Sequence, residues 1–268
     1  MGDRADIAAM RRLLLPLLAL IAALSPMSPA DAATTTTAAR WQPKLGATWQ
    51  IQFSGKLDTT VSAQVFDIDG ADSTKAQVAT LHGKGSKVIC YVDAGSYENW
   101  RADAAKFPAA VRGKAMDGWA GEQWLDVRQW DALRPILAAR FADCRAKGFD
   151  AVDPDNMDGY TNVTGFALTA ADQLLYNRRV ADLAHSLGLA VGLKNDLDQV
   201  QALQPAFDFA VNEQCVKYKE CGLLAPFTKA GKPVFHIEYA AANCPTPAAL
   251  KFSSVRKKMS LDAGRAAC

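Results

Sequence analysis

The chain has 268 residues, half of them hydrophobic and 22 % charged, and its 30 basic and 28 acidic side chains leave a net charge of +2. That apolar content excludes a disordered tail, which would be too poor in apolar residues to bury a core. The near balance of charge offers no single-sign field of the kind that binds nucleic acid, so no nucleic-acid partner is expected.

Taken in chain order, Arg11 and Arg12 precede the apolar run LLLPLLALIAAL at 13–24, and small residues follow as far as Ala30-Asp31-Ala32. A cationic flank, a short apolar stretch and an A-x-A exit predict a signal peptide over residues 1–33, removed on export. The apolar run is interrupted by Pro16 and falls short of the roughly 20 residues needed to span a bilayer, so no membrane partner is expected after cleavage. Residues 34–47, beginning with a Thr run, read as a flexible lead. Residues 48–268 read as one domain.

β-rich runs are predicted at 49–53, 64–68, 87–93, 123–127, 149–155, 189–194, 207–213 and 234–238. Between many of them lie helical patterns at 73–83, 134–147 and 170–187, with weaker ones at 198–203 and 247–259. Two helices run out at Gly148 and Gly188, glycine being the usual residue just past a helix end. Strands alternating with helices predict a parallel sheet with right-handed crossovers. About eight strands in a mature chain of about 235 residues match a (β/α)8 barrel, an α/β fold, here irregular at its first strands. The first two strands are too close for a crossover helix. An open doubly wound sheet is the competing fold, but the chain has no G-x-G-x-x-G or P-loop.

Six cysteines, Cys90, Cys144, Cys215, Cys221, Cys244 and Cys268, suit disulfides in an exported chain. Spacing suggests Cys215 with Cys221 in a short loop and Cys244 with Cys268 at the tail, leaving Cys90 with Cys144. There is no C-x-x-C, and the three histidines are scattered, so no metal is expected at these residues.

The predicted strands end in acids and amides. ICYVDAG ends at Asp93, WLDV carries Asp126, FDAVDPDN ends in Asp153, Asp155 and Asn156, and LAVGLKND in Lys194, Asn195 and Asp196. FDFAVNEQ ends in Asn212, Glu213 and Gln214, and VFHIEY in Glu238 and Tyr239. In a parallel barrel these ends meet on one face, which carries the site. Helix capping would account for some of the Asp residues but not for Glu213 or Glu238, since Glu caps poorly. Strand periodicity puts Asp153 with Asp155, and Val211 with Glu213, on shared faces, so that Asp155 and Glu213 converge over the barrel mouth. Tyr97, Trp100, Trp119, Trp124, Tyr160, Tyr218 and Tyr239 lie on or near these segments. Flat rings beside carboxylates suit a sugar, whose C–H face packs on aromatics while its hydroxyls hydrogen-bond.

The motifs YVDAGSYENWR (91–101), GEQWLDVR (121–128), GFDAVDPDNMDGY (148–160), VGLKND (191–196), VNEQCVKYKEC (211–221) and HIEYA (236–240) together resemble glycoside hydrolase family 114, the endo-α-1,4-polygalactosaminidases. The likeness runs from about residue 49 to 239. It implies a (β/α)8 barrel, secretion, no cofactor, and cleavage within a cationic galactosamine polymer. Matched position by position, it makes Asp155 and Glu213 the catalytic pair, Asp155 as nucleophile and Glu213 as general acid/base, which implies retention. Asp93, Asp126, Lys194, Asn195, Asn212 and Glu238 would line the subsites. Asp153 departs from the family, which has Glu there.

Two other readings use the same residues. A non-catalytic carbohydrate-binding barrel needs the groove but not a cooperating carboxylate pair. A metal-dependent hydrolase would use the D-x-D acids Asp67 with Asp69 and Asp153 with Asp155.

Overall fold

A computed structural model of the chain describes residues 40–239 and 248–268; the predicted signal peptide, the start of the lead (34–39) and Cys244 lie outside these residues. In chain order the elements are β1 (Trp49–Gln52), β2 (Val65–Asp69), α1 (Lys75–Gly83), β3 (Lys87–Asp93), β4 (Ser96–Glu98), β5 (Arg112–Ala115), β6 (Glu122–Leu125), α2 (Trp130–Lys147), β7 (Ala151–Asp155), α3 (Ala170–Ser186), β8 (Ala190–Lys194), α4 (Val200–Leu203), β9 (Phe209–Glu213), α5 (Cys215–Tyr218), α6 (Ala225–Lys229), β10 (Val234–Tyr239), β11 (Ser253–Lys257) and β12 (Ala266–Ala267).

Strands β1, β2, β3, β7, β8, β9, β10 and β11 pair in that order, every neighbour parallel, and form the wall of a (β/α)8-type barrel. No ladder joins β1 to β11. Side chains bridge that seam instead, with Lys257 Nζ donating to Gln50 Oε1 at 3.3 Å and Gln50 Nε2 to the Ala263 carbonyl at 3.0 Å. The link from β1 to β2 carries no helix, and Gln52 Nε2 folds it by donating to the Ser54 and Lys56 carbonyls at 3.0 and 2.9 Å.

Local sequence sets the helix ends. Thr74 and Gln77 form a capping box on α1, and Thr169 with Asp172 does the same on α3. Gly148 ends α2 at φ +98°, a left-handed conformation that favours glycine.

Two expectations are corrected. The run at 123–127 is not a barrel strand; β6 belongs to a separate antiparallel sheet of order β4-β6-β5, set between β3 and α2. The segment 247–259, read as helical, contains β11, the eighth barrel strand. Its alternation is genuine, with Ser253, Val255 and Lys257 buried, but two of those three residues are polar. A period-two pattern written in Ser and Lys is invisible to a hydrophobicity reading.

Apolar packing forms two layers. One lies between the sheet and its helices, built from Phe66, Leu81, Leu137, Phe141, Phe149, Tyr176 and Phe207 among others. The other fills the bottom of the barrel with Trp49, Ile51, Val65, Ile89, Ala151, Ala190, Phe209, Val211, Phe235 and Ile237. Gly192 is required there, because a Cβ at that position would sit 2.4 Å from the Phe209 ring. At the front of the chain Arg40 pairs with Asp208 at 3.2 Å, and Trp41 packs on Phe209 at 6.2 Å between ring centroids.

Cys90–Cys144 ties β3 to α2, and Cys215–Cys221 closes the short loop after β9, both as the spacing predicts. Cys268 is also disulfide-bonded, and its expected partner Cys244 lies outside the described residues. Cys90–Cys144 spans 54 residues and Cys215–Cys221 only 6, so chain entropy assigns them about 4 and about 2 kcal/mol respectively. In urea unfolding, the double variant Cys90→Ala with Cys144→Ala is therefore expected to lose more stability than Cys215→Ala with Cys221→Ala.

Candidate active site

Inward positions along each strand run from apolar at the bottom of the barrel to charged at its C-terminal mouth. On β7 the inward series is Ala151, Asp153, Asp155; on β9 it is Phe209, Val211, Glu213; on β3 it is Ile89, Tyr91, Asp93. The β3–β7 register places Asp93 opposite Asp155 and Tyr91 opposite Asp153.

Lys194, at the end of β8, stands between β7 and β9. Its ammonium is buried, 3.2 Å from Asp155 Oδ1 and 3.7 Å from Asp153 Oδ2. Burial opposes its charge, but Asp153, Asp155 and Glu213 outweigh that and hold its pKa well above the ordinary lysine value. Tyr91 donates its hydroxyl to Asp155 Oδ2 at 2.9 Å, and the Asn156 amide donates to Asp155 Oδ1 at 2.8 Å. Both oxygens of Asp155 therefore accept hydrogen bonds, the pattern a carboxylate acting as an anion needs. Burial, with the Asp155 and Asp93 charges, pushes the Tyr91 pKa far up, so it remains a donor.

Glu213 accepts a short hydrogen bond from the Tyr239 hydroxyl at Oε1. Asn195 brackets it, accepting from the Glu213 amide at 3.0 Å and pointing Nδ2 at Glu213 Oε2 at 3.4 Å. Close approach of β3 and β7 sets the height of Asp155. A Cβ on Gly95 would lie 1.7 Å from the Asn156 carbonyl oxygen, so the glycine of the YVDAG motif is obligatory.

A cavity of about 540 Å³ opens over these groups. Its walls bring together Asp155, Asn156, Lys194, Asn195, Glu213, Trp100 and Tyr239 from the sequence reading. Tyr160 lines an adjoining cavity of about 320 Å³. Asp93 stands behind the site, accepting from Asn156 Nδ2 at 2.9 Å. The remaining candidates lie elsewhere. Asp126 is clamped by Arg128 at 2.7 Å, Trp124 is buried against Gly159, and Tyr97 packs edge-on to Phe107 at 5.7 Å. Asn212 is buried and donates to Asn195 at 3.2 Å. Glu238 is buried off the inward face of β10, accepting from the Val216 amide at 2.8 Å and paired with His236 at 3.0 Å. Asp153 also lies below the mouth, fully buried.

The cavity contains residues that sequence reasoning passed over: Tyr91, Glu98, Arg101, Glu122 and Asp158, while Trp119, one of the predicted groove aromatics, also lines it. Tyr91 had a signal, since it lies two positions before Asp93 and shares its strand face. Glu122 comes from the separate small sheet, and nothing in its spacing marks it. Arg101 holds Asp69 by two bonds of 3.0 and 2.8 Å and reaches Glu98 at 2.7 Å.

Beneath Lys194, Asp67 and Asp153 are both fully buried, and no other donor reaches any of their four oxygens. The two carboxyls lie close enough that the Asp153 charge opposes ionisation of Asp67. Burial is the largest cause of the upward shift in both, Asp67 moving well above the carboxylate range and Asp153 to about 6. Burial, with the Glu98 and Asp155 charges, also pushes Asp93 to about 8, against the hydrogen bonds from Ser96. Glu122, which shares the Ser96 hydroxyl with Asp93, is raised to about 7, again mainly by burial.

A ring of carboxylates around one buried cation, at the C-terminal mouth of a (β/α)8 barrel, is a set of groups suited to glycosidic-bond cleavage. The family description Glycoside-hydrolase family GH114 matches residues 30–268. The chain belongs to that family, and it is a glycoside hydrolase. Aspergillus fumigatus Ega3, solved in complex with galactosamine, is 40 % identical, covers 86 % of this chain and 98 % of its own, and superposes with a TM-score of 0.82. The glycoside hydrolase domain of PelA from Pseudomonas aeruginosa shares the fold at 16 % identity and a TM-score of 0.63, covering 82 % of this chain and 98 % of that domain. An uncharacterized protein of Deinococcus radiodurans is 27 % identical over 257 residues, 81 % of this chain and 79 % of its own.

Two outcomes follow from the buried charges. Lys194→Met leaves Asp153 and Asp155 without their cation and is expected to cost about 3–5 kcal/mol in urea unfolding at neutral pH, whereas Asp67→Asn, which can still donate to Asp153, stays close to the parent. Glu122 binds its proton more tightly folded than unfolded, so its contribution is fully present below the ordinary value of 4.5 and is lost as pH rises toward 7. Glu122→Gln is therefore expected to flatten the fall of melting temperature over that window.

Proposed function

We propose that this chain is an exported, endo-acting hydrolase of α-1,4-linked galactosamine-containing polysaccharide that works with retention through Asp155 and Glu213. The observation that carries the reading is the continuity of the cleft. The two cavities share Asp158, Asn195, Glu213 and Gln214, so space runs on past Glu213 on the side away from Asp155. A polymer lying through such a cleft is cut internally. Exposed Trp100 and Trp119 flank one end and exposed Tyr218 the other, rings on which sugar faces can stack.

Asp155 attacks the anomeric carbon while Glu213 protonates the leaving oxygen; Glu213 then takes a proton from the water that releases the product. Lys194 and Tyr91 hold Asp155 in place, and Tyr239 with Asn195 orients Glu213. A galactosamine with a free amine is cationic near neutral pH. The larger cavity offers it Asp69, Asp72, Glu98, Glu122, Asp158 and the catalytic pair, against Arg101 and Lys194 only. Acids in such excess concentrate a cationic polymer. The galactosamine bound by the 40 % identical Aspergillus protein supports the same substrate class. Export is supported by the basic-then-apolar N-terminus over residues 1–33 and by the disulfides.

The test is hydrolysis of partially deacetylated α-1,4 galactosaminogalactan. Wild type is expected to release oligosaccharides whose newly formed reducing ends appear first as the α anomer by NMR. Asp155→Asn and Glu213→Gln are each expected to lose about 10²–10⁴-fold in rate with little change in melting temperature. An inert wild type, or variants that keep their activity, would overturn the reading.

A further inference from the structure

The turn from β3 into β4 is held at each of its carbonyls. Arg140 Nη1 donates to the Asp93 carbonyl at 2.8 Å, the Tyr176 hydroxyl to the Ala94 carbonyl, and the Leu125 amide to the Gly95 carbonyl at 3.0 Å. The Ala94 and Gly95 amides donate to the Asp155 carbonyl at 3.2 and 3.0 Å. Within this frame the Asp93 side chain is buried, and it does not line the larger cavity. Its Oδ1 accepts from the Ser96 amide at 2.7 Å; its Oδ2 accepts from the Ser96 hydroxyl and, at 2.9 Å, from Asn156 Nδ2. With both oxygens engaged, the carboxyl has one orientation.

Asn156 is the partner that needs holding. It follows Asp155 directly and sits at φ +61°, a left-handed conformation that glycine adopts freely and other residues adopt at a cost. In that conformation its amide donates to Asp155 Oδ1 at 2.8 Å, the oxygen that also faces Lys194 at 3.2 Å. A glycine at 156 would hold this backbone unaided. An asparagine holds it with an anchor, and the anchor is Asp93 Oδ2. Released from it, the peptide joining Asp155 to Asn156 is free to turn and carry its N–H away from the carboxylate.

We propose that Asp93 is a positioning residue for the reaction: through the Asn156 side chain it fixes the backbone N–H that donates to the Asp155 carboxylate. The proposal rests on the functional reading above, in which Asp155 is the nucleophile. Asp93 acts across the β3–β7 register, which sets the two aspartates opposite each other, and touches neither sugar nor reacting atoms. A nucleophile that loses this donor attacks the anomeric carbon from a worse position, and a misplacement of about an ångström costs about 10²-fold in rate. Sugar binding, which depends on the cavity walls, is left nearly as it was.

The test is a double-mutant cycle on partially deacetylated α-1,4 galactosaminogalactan, with kcat and KM read separately. Asp93→Asn preserves volume and an acceptor for the Ser96 amide, but sets its own NH2 group against that of Asn156. In the wild-type background it is expected to lower kcat about 10–100-fold with KM within about threefold. In an Asn156→Gly background the same substitution should lower kcat by less than about threefold, because glycine needs no anchor. Equal losses of kcat in both backgrounds make Asp93 a support of the fold alone and overturn the proposal, as does a loss confined to KM or an unchanged kcat. If Asp93→Asn does not fold, Asn156→Ala against Asn156→Gly replaces the cycle, since both lack the anchored side chain and only alanine is strained at φ +61°. The alanine variant should then be about tenfold slower in kcat, and equal rates overturn the proposal. An inert wild type defeats the hydrolase reading alone, and hydrogen exchange of the residue 156 amide, followed by NMR, then decides the positioning. Exchange about tenfold or more faster in Asp93→Asn and slow again in the double variant supports it. Unchanged exchange in Asp93→Asn overturns it.

Discussion

One buried ammonium organises this candidate site. Lys194 ends β8 with its charge sealed from water and faces Asp153 and Asp155 on one neighbouring strand and Glu213 on the other. An unpaired charge at that depth would be intolerable, and so would the carboxylates without it. The requirement propagates outward. Asp155 must sit at one height, which needs Tyr91 beside it and Gly95 to let the β3 and β7 exits touch. Below, burial and the Asp153 charge hold the Asp67 carboxyl well above the carboxylate range, so the anionic load on the ammonium is smaller than the count of acids suggests.

The barrel accommodates this through a gradient rather than a boundary. Each strand uses its inward positions for apolar filling at the bottom and for acids, tyrosine or lysine at the top. Tight apolar packing below is what keeps the charged tier rigid, since a group displaced by an ångström loses much of its catalytic effect. The histidines take no part in that tier. His82, His185 and His236 each pair with an acid elsewhere, Asp150, Asp208 and Glu238, and none lines either cavity described above.

Most of the barrel and its charged tier could be read from the sequence, because both follow strand periodicity. Asp155, Asn156, Lys194, Asn195, Glu213 and Tyr239 all sit at strand ends, and all reach the cavity. Asp126 and Trp124 were misplaced for the same reason that β6 was. A β-rich run ending in an acid looks alike in a barrel wall and in an inserted hairpin, and only pairing distinguishes them. Glu238 sits on the right strand one position off the inward face, its neighbour Tyr239 taking the place at the mouth. β11 escaped notice because its buried face is written in Ser and Lys. Of the second cavity's acids, Asp196 closes a strand-end motif, whereas Asp158, Asp198 and Glu220, on the loops after β7, β8 and β9, follow no strand period.

The seam between β1 and β11 has a consequence for the order of assembly. The barrel strands β1, β2, β3, β7, β8, β9 and β10 can add to one another as they become available, each finding its parallel partner in a neighbour already formed. The free edge of β1 has no such partner. It is covered only when Lys257 and the segment beyond it arrive from the other end of the chain, bringing the Leu261 carbonyl to the Phe53 amide and the Ala263 carbonyl to Gln50. Until then a strand edge stays open to pairing with another molecule. Closure is thus the longest-range event in the fold, and the exposed edge is the point at which an incompletely folded chain is most vulnerable to aggregation.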